Sequence, residues 1–139
     1  MAQATSSQPD ECAVTVFDAD PKAMALAPWP PFPEDEIIGG NPNGHKGALL
    51  YRDPQQLYSV GVWECPPAKF EVPYAGTEMG HVLIGTATIT DTVTGEARRL
   101  KPGDHFFIAF GAKVIWEVHE TFRKVYTMYE AERDAERFY

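Results

Sequence analysis

The stretch Gly76–Ala97, GTEMGHVLIGTATITDTVTGEA, decides the fold class. In its first part, residues 78–85, apolar side chains stand on both faces that a strand presents. Met79 and Leu83 share one face and Val82 and Ile84 the other. Residues 86–91, rich in Thr and Ile, read as a second strand, and Gly95 supplies a hairpin turn before Ala97. A strand apolar on both sides is covered on both sides. One side predicts a barrel interior, the other a second layer or a dimer partner.

The same pattern extends in both directions. Residues 57–65 are strand-like and stop at Pro66-Pro67. Residues 69–74 alternate, with Phe70, Val72 and Tyr74 on one face. Lys101-Pro102-Gly103-Asp104 is a tight turn, and strands are predicted at 105–110, 113–119 and 122–130. Ala13–Phe17 is a further short strand candidate. Strands recurring about every ten residues without helices between them predict an all-β sandwich or barrel.

The ends differ from the middle. Residues 1–12 form a polar lead, and residues 27–36, APWPPFPEDE, are proline-rich and extended. Pro28 and Pro31 have the spacing of a PxxP ligand. The favoured reading is an arm that lies against its own domain or a dimer mate, anchored by Trp29 and Phe32. The expected organisation is an N-terminal arm over 1–37, a barrel over 38–130 and a charged tail over 131–139 forming a short helix.

Composition bounds function. The 139 residues fit one domain, and 44% apolar and 12% aromatic residues suffice for a core. A formal net charge of −8 and the lack of a basic run argue against nucleic acid as a partner. No apolar run approaches the roughly 18 residues of a membrane span, and the N-terminus lacks the pattern of a signal peptide. Cys12 and Cys65 are too few for a disulfide framework, so a cytoplasmic location with reduced thiols is expected.

Glu78, six residues and Gly85, followed by Gly103-Asp104 opening a strand and by Gly111, resemble the two motifs of the cupins. The order of Trp63, Phe70, Tyr74, Glu78, Gly85, Gly103-Asp104, Trp116 and Arg123-Lys124-x-Tyr126 is similar to one branch of small single-domain cupins. That branch includes proteins like ureidoglycine aminohydrolases and ethanolamine-utilisation proteins. The resemblance, covering Ile38 to Tyr129, implies a single RmlC-like jelly-roll barrel and a homodimer. In metal-binding cupins two histidines precede the glutamate and a third follows in the second motif. Here the first two slots hold Val72 and Tyr74, or Glu71 and Pro73 in the longer spacing. The second motif holds Ala109, Gly111 and Val114. Glu78 alone of the four ligands remains, whereas a transition metal needs three or four donors. No metal and no other cofactor is therefore expected. A substitute set from His81, His105, His119 and Cys65 is the rival, but alternation turns His81 away from Glu78.

The resemblance places Tyr74, Glu78 and Trp116 in the barrel interior with Trp63 beside them. Glu78 and Tyr74 are the candidate catalytic residues. Trp63, Trp116, Val72 and Val114 are the candidate ligand-binding residues. Aromatic walls with one carboxylate and one phenol suit a small-molecule site. The expected function is metal-independent proton transfer on a small polar metabolite, of aminohydrolase, lyase or isomerase type. Non-catalytic ligand binding or sensing, and metal-dependent catalysis through unusual ligands, are the alternatives. A plain structural reading pairs Glu78 with Lys69, Lys124 or a tyrosine, and Arg123-Lys124 with Glu117 or Glu120 on the surface.

Overall fold

A computed structural model describes residues 13–17 and 20–130. The expected helix at 131–139 and the polar lead at 1–12 lie outside the described residues. The described part is all-β: strands β1 (Ala27–Pro28), β2 (Ile37–Gly40), β3 (Lys46–Arg52), β4 (Tyr58–Cys65), β5 (Ala68–Pro73), β6 (Thr77–Asp91), β7 (Ala97–Leu100), β8 (His105–Ile108) and β9 (Lys113–Tyr129). Two 3-10 turns, Glu34–Glu36 and Pro42–Gly44, flank β2. Residues 13–17 form no strand, contrary to expectation.

The strands make one antiparallel sheet that curls on itself. Along one path the order is β1-β3-β4-β9-β5-β2, and β6 adds to β9 while carrying β7 and β8 on its other edge. β9 is the spine. Its first half, Lys113–Val118, pairs with β5, and its second half, Phe122–Tyr129, pairs with β4. β6 runs beside both halves.

Two predicted breaks are absent. Segments 78–85 and 86–91 are one strand, and 113–119 and 122–130 are also one strand apart from its last residue. Gly85 explains the first. Its φ of +81° is a left-handed conformation that bends the strand without ending it. The register passes from Arg123 opposite Ile84 to Glu120 opposite Thr86, so β9 bulges opposite the bend. A Cβ at position 85 would collide with the Thr121 carbonyl, so the two strands cross there closely. The bend also switches faces. Glu78, Gly80 and Val82 point inward before it, and Gly85, Ala87 and Ile89 after it. Ile84 therefore does not share a buried face with Val82, and is 39% exposed. Met79, on the outer face, is 56% exposed.

The interior is packed by Trp63, Phe70, Trp116, Phe122, Val82, Ile89, Val114 and Val118 with smaller neighbours. Trp116 and Phe122 are within the fully buried group. The rings meet mostly edge to face, with Trp63–Trp116 centroids at 5.7 Å and Trp116–Phe122 at 5.5 Å, while Phe70 stacks on Trp116. The proline-rich arm packs on its own domain, and Trp29 and Phe32 are its anchors. Trp29 meets His45 and Tyr126 edge-on, and Phe32 packs on His45 and Phe70.

On the outer face, Arg123 binds Glu64 through Nε at 2.9 Å and donates to the carbonyls of Pro21, Lys22 and Met24. Lys124 turns inward to Glu78. The expected surface ladder of Arg123 and Lys124 with Glu117 or Glu120 is thus corrected: successive residues of a strand point to opposite faces, and the partners lie on other strands.

Candidate functional site

The curled sheet encloses an open cavity of about 380 Å³. Its walls come from β4, β5, β6 and β9 and from the arm, with Trp29, Phe32, Trp63, Phe70, Val72 and Trp116 supplying apolar surface. Tyr74, Glu78 and Lys124 line the same space.

Glu78 is 1% exposed and Lys124 6%. Glu78 Oε2 lies 2.5 Å from Lys124 Nζ, and the Tyr74 hydroxyl donates to Glu78 Oε1 at 2.8 Å. Trp116 Nε1–H donates to the Tyr74 oxygen at 3.1 Å, completing a relay from indole to phenol to carboxylate to ammonium. Tyr74 follows β5, and its backbone is pinned by bonds with Ala112 and Gly111. Burial, and after it the Glu78 charge, raises the Tyr74 pKa well above its ordinary value, so the phenol keeps its proton.

Lys124 is also caged. Its ammonium lies 4.6 Å from the ring centres of both Trp63 and Trp116, and 5.6 Å from Phe106. Cation–π attraction of this kind grows when water is excluded. Phe106 reaches the cage because Gly80 has no side chain: a Cβ there would collide with the Phe106 ring. A buried charge pair left incomplete is costly, so carboxylate and ammonium depend on each other.

A second relay braces the arm. Trp63 Nε1–H donates to His45 Nδ1 at 3.0 Å, and His45 Nε2 lies 2.7 Å from the Pro30 carbonyl. A carbonyl only accepts, so Nε2 carries the proton and Nδ1 is the acceptor. This ties β3, β4 and the arm across one wall.

The structure brings Tyr74, Glu78, Trp63, Trp116 and Val72 together. Val114 is 4% exposed and packs in the core; it is not among the residues lining the cavity. His81 faces away from Glu78, as alternation predicts, and its Nδ1 lies 2.9 Å from His105 Nε2 on the outer surface. His119 meets Thr88. Cys65 is fully buried, and burial pushes its thiol up to about 12 against the opposing pull of Lys124, which disfavours the thiolate a nucleophile needs.

The donor set does not fit a cupin metal. Of the slots, Val72 and Val114 offer no donor, and the Lys124 ammonium already occupies Glu78 Oε2. Among the described residues no three His, Cys, Asp or Glu side chains converge. A divalent cation beside Glu78 would meet the lysine charge at contact distance.

Lys124, His45, Ser59 and Tyr126 are site residues that sequence reasoning missed as such. Lys124 had a signal: it stands eight residues after Trp116 and two before Tyr126, in phase with both. His45 had none, because it sits in a turn whose direction only the folded arm sets.

The curled antiparallel sheet around an aromatic pocket has the form of a cupin jelly roll. Residues 53–126 match the EutQ-like cupin domain, and the chain belongs to that family. Solved structures of similar fold include the Clostridium difficile EutQ protein, with 21% identity and a TM-score of 0.55 over 63% of this chain and 63% of that one. A protein of unknown function from Pseudomonas syringae pv. tomato gives 23% and 0.70 over 77% and 45%. An acetylacetone dioxygenase from Acinetobacter johnsonii gives 16% and 0.59 over 93% and 80%. The chain spans less than two thirds of the first two. A search of the curated proteins returns no match. None of the described helices is long and apolar enough to cross a membrane.

Proposed function

We propose that the cavity binds a small polar metabolite and catalyses a metal-independent proton transfer on it, of aminohydrolase, lyase or isomerase type. The observation that supports this reading is a buried carboxylate held between a protonated phenol and an ammonium, on the wall of an open cavity. Glu78 is the proton acceptor. Entry of a substrate between Glu78 and one of its partners frees a carboxylate oxygen to take a proton from carbon or from water. Lys124 and Tyr74 then donate to the oxygen on which negative charge develops, and the aromatic walls keep that charge out of water.

A second reading, non-catalytic ligand binding or sensing, is favoured by one observation: both Glu78 oxygens already have partners. Solvent deuterium exchange separates the two. A panel of small amino, hydroxy and 2-oxo acids is incubated with the protein in D2O and followed by proton NMR. Catalysed loss of a carbon-bound proton by the wild type, abolished in Glu78→Gln, supports catalysis. Exchange at the wild-type rate in Glu78→Gln removes Glu78 from the mechanism. No exchange by either protein, with binding retained, leaves the sensing reading. Stoichiometric Mn, Fe, Ni or Zn in the purified protein would overturn the metal-free part.

A homodimer and a cytoplasmic location are further parts of this reading. Met79 and Phe107, opposite each other on β6 and β8, are 56% and 64% exposed on the outer face, which supports self-association. Sedimentation of wild type against Met79→Lys tests it.

A further inference from the structure

We infer that Arg52, Ser59 and Tyr126 form a carboxylate-binding subsite at the mouth of the cavity. The inference rests on the cavity taking a small molecule, and it names the chemistry of one end of that molecule.

The polar groups of the deep end are spent on one another, as the two relays show. Those of the mouth are not. Ser59 is 4% exposed and Tyr126 8%, yet neither hydroxyl bonds to another described residue. Among the described residues the only fully sealed side-chain polar atom without a partner is Thr86 Oγ1, so the Ser59 and Tyr126 oxygens open onto the cavity they line. Arg52 lines the same space, and its guanidinium forms no ion pair with a described residue. Hydroxyls that open onto a cavity without a protein partner are free to bond to what enters it.

Strand register explains the convergence. Arg52 stands opposite Ser59 across β3–β4, and Ser59 opposite Met128 across β4–β9. One step along, Gly61 stands opposite Tyr126, and the absence of a side chain at 61 leaves room for the phenol. All three are hydrogen-bond donors that line one cavity. A guanidinium and two hydroxyls match the two oxygens of a carboxylate. Glu130 also lines the cavity; of the charges that act on the Tyr126 hydroxyl, Glu78 is the strongest, then the Arg52 guanidinium, then Glu130.

The same rung gives the ligand's length. It runs Arg52, Ser59, Met128, Glu78 across β3, β4, β9 and β6. Two strand spacings separate the Ser59 and Glu78 backbones, about 10 Å, and the side chains reach inward from each. A carboxylate with a chain of roughly four to six carbons spans from the mouth to Glu78 on that spacing.

The test is calorimetric titration of the full chain with glutarate and with glutaramide, its neutral diamide. Wild type is expected to bind glutarate at least about tenfold tighter. Arg52→Gln, at an exposed position that tolerates change, is expected to abolish that preference, and Ser59→Ala to reduce it several-fold. Equal affinity for acid and amide in the wild type, or an undiminished preference in Arg52→Gln, overturns the subsite. If only the amide binds, the subsite fails and the pocket reading stands; if neither binds, both fail.

Discussion

Glu78 on β6 and Lys124 on β9 meet at 2.5 Å inside the barrel although neither stands opposite the other in the sheet. Their register partners are Met128 and Val82. The lysine reaches diagonally past Gly80, and the carboxylate gains its counter-charge from a residue 46 positions later in sequence. A cation that the chain supplies itself thus stands on the carboxylate that the motif resemblance puts in the cupin metal-ligand slot.

Lys124→Met leaves a buried carboxylate without its cation. We expect a loss of about 3–5 kcal/mol in urea unfolding. The double variant Glu78→Leu with Lys124→Met is expected to be more stable than Lys124→Met alone. A cycle in which the two losses simply add would show that the pair is not coupled.

Tyr74→Phe removes the donor to Glu78 Oε1 and the acceptor for Trp116 Nε1. A loss of about 1–3 kcal/mol is expected, since a buried indole N–H is left unsatisfied. Tryptophan fluorescence should shift with it, and an unchanged spectrum and stability would count against the relay.

Gly85→Ala places a methyl group against the Thr121 carbonyl at a φ of +81°. We expect at least about 2 kcal/mol of destabilisation, from strain and from displacement of β9. Gly95→Ala also has positive φ but meets nothing within 4 Å, so it should cost less. Thermal melts of the two variants give the comparison.

Alkaline pH should weaken the fold. Burial pushes Tyr126 up from 10.0 to about 12 and Cys65 from 9.0 to about 12, and raises Tyr74 as well. The folded chain holds these protons more tightly than the unfolded chain does. The resulting stability is fully present below the unfolded values and is lost as pH rises from about 9 through about 12. Tyr126 alone accounts for roughly 3 kcal/mol of it. Urea unfolding at stepped pH, with tyrosinate absorbance recorded in parallel, checks the window. Stability constant across it would contradict the assignment.

Trp29→Ala tests the arm. Trp29 is partly buried over Gly47 and against Tyr126 and His45, so a cost of about 1–3 kcal/mol is expected. Loss of glutarate binding should accompany it, because the arm forms one wall of the cavity.

Period-two patterning made the fold class legible, along with the inward set Phe70, Val72 and Tyr74 and the outward turn of His81. Alternation is a local property, fixed by backbone geometry wherever a strand is unbroken. It failed at Gly85, where one left-handed residue changed the phase, and with it the predicted place of Ile84. Strand continuity through Glu120 and Thr121 was also hidden, because exposed polar residues there look like a turn until the bend in β6 is known.

By itself the sequence determined an all-β chain, the aromatic anchors of its arm and a carboxylate without the histidines of a metal site, since these depend on residue type and local spacing, while its resemblance to the cupins implied the barrel. The tertiary structure decided what completes that carboxylate and what faces the empty part of the cavity. Lys124 against Glu78, His45 against Trp63, and Arg52 beside Ser59 and Tyr126 are contacts between strands. Their partners follow from register and from the curl of the sheet, which no single stretch of the chain encodes.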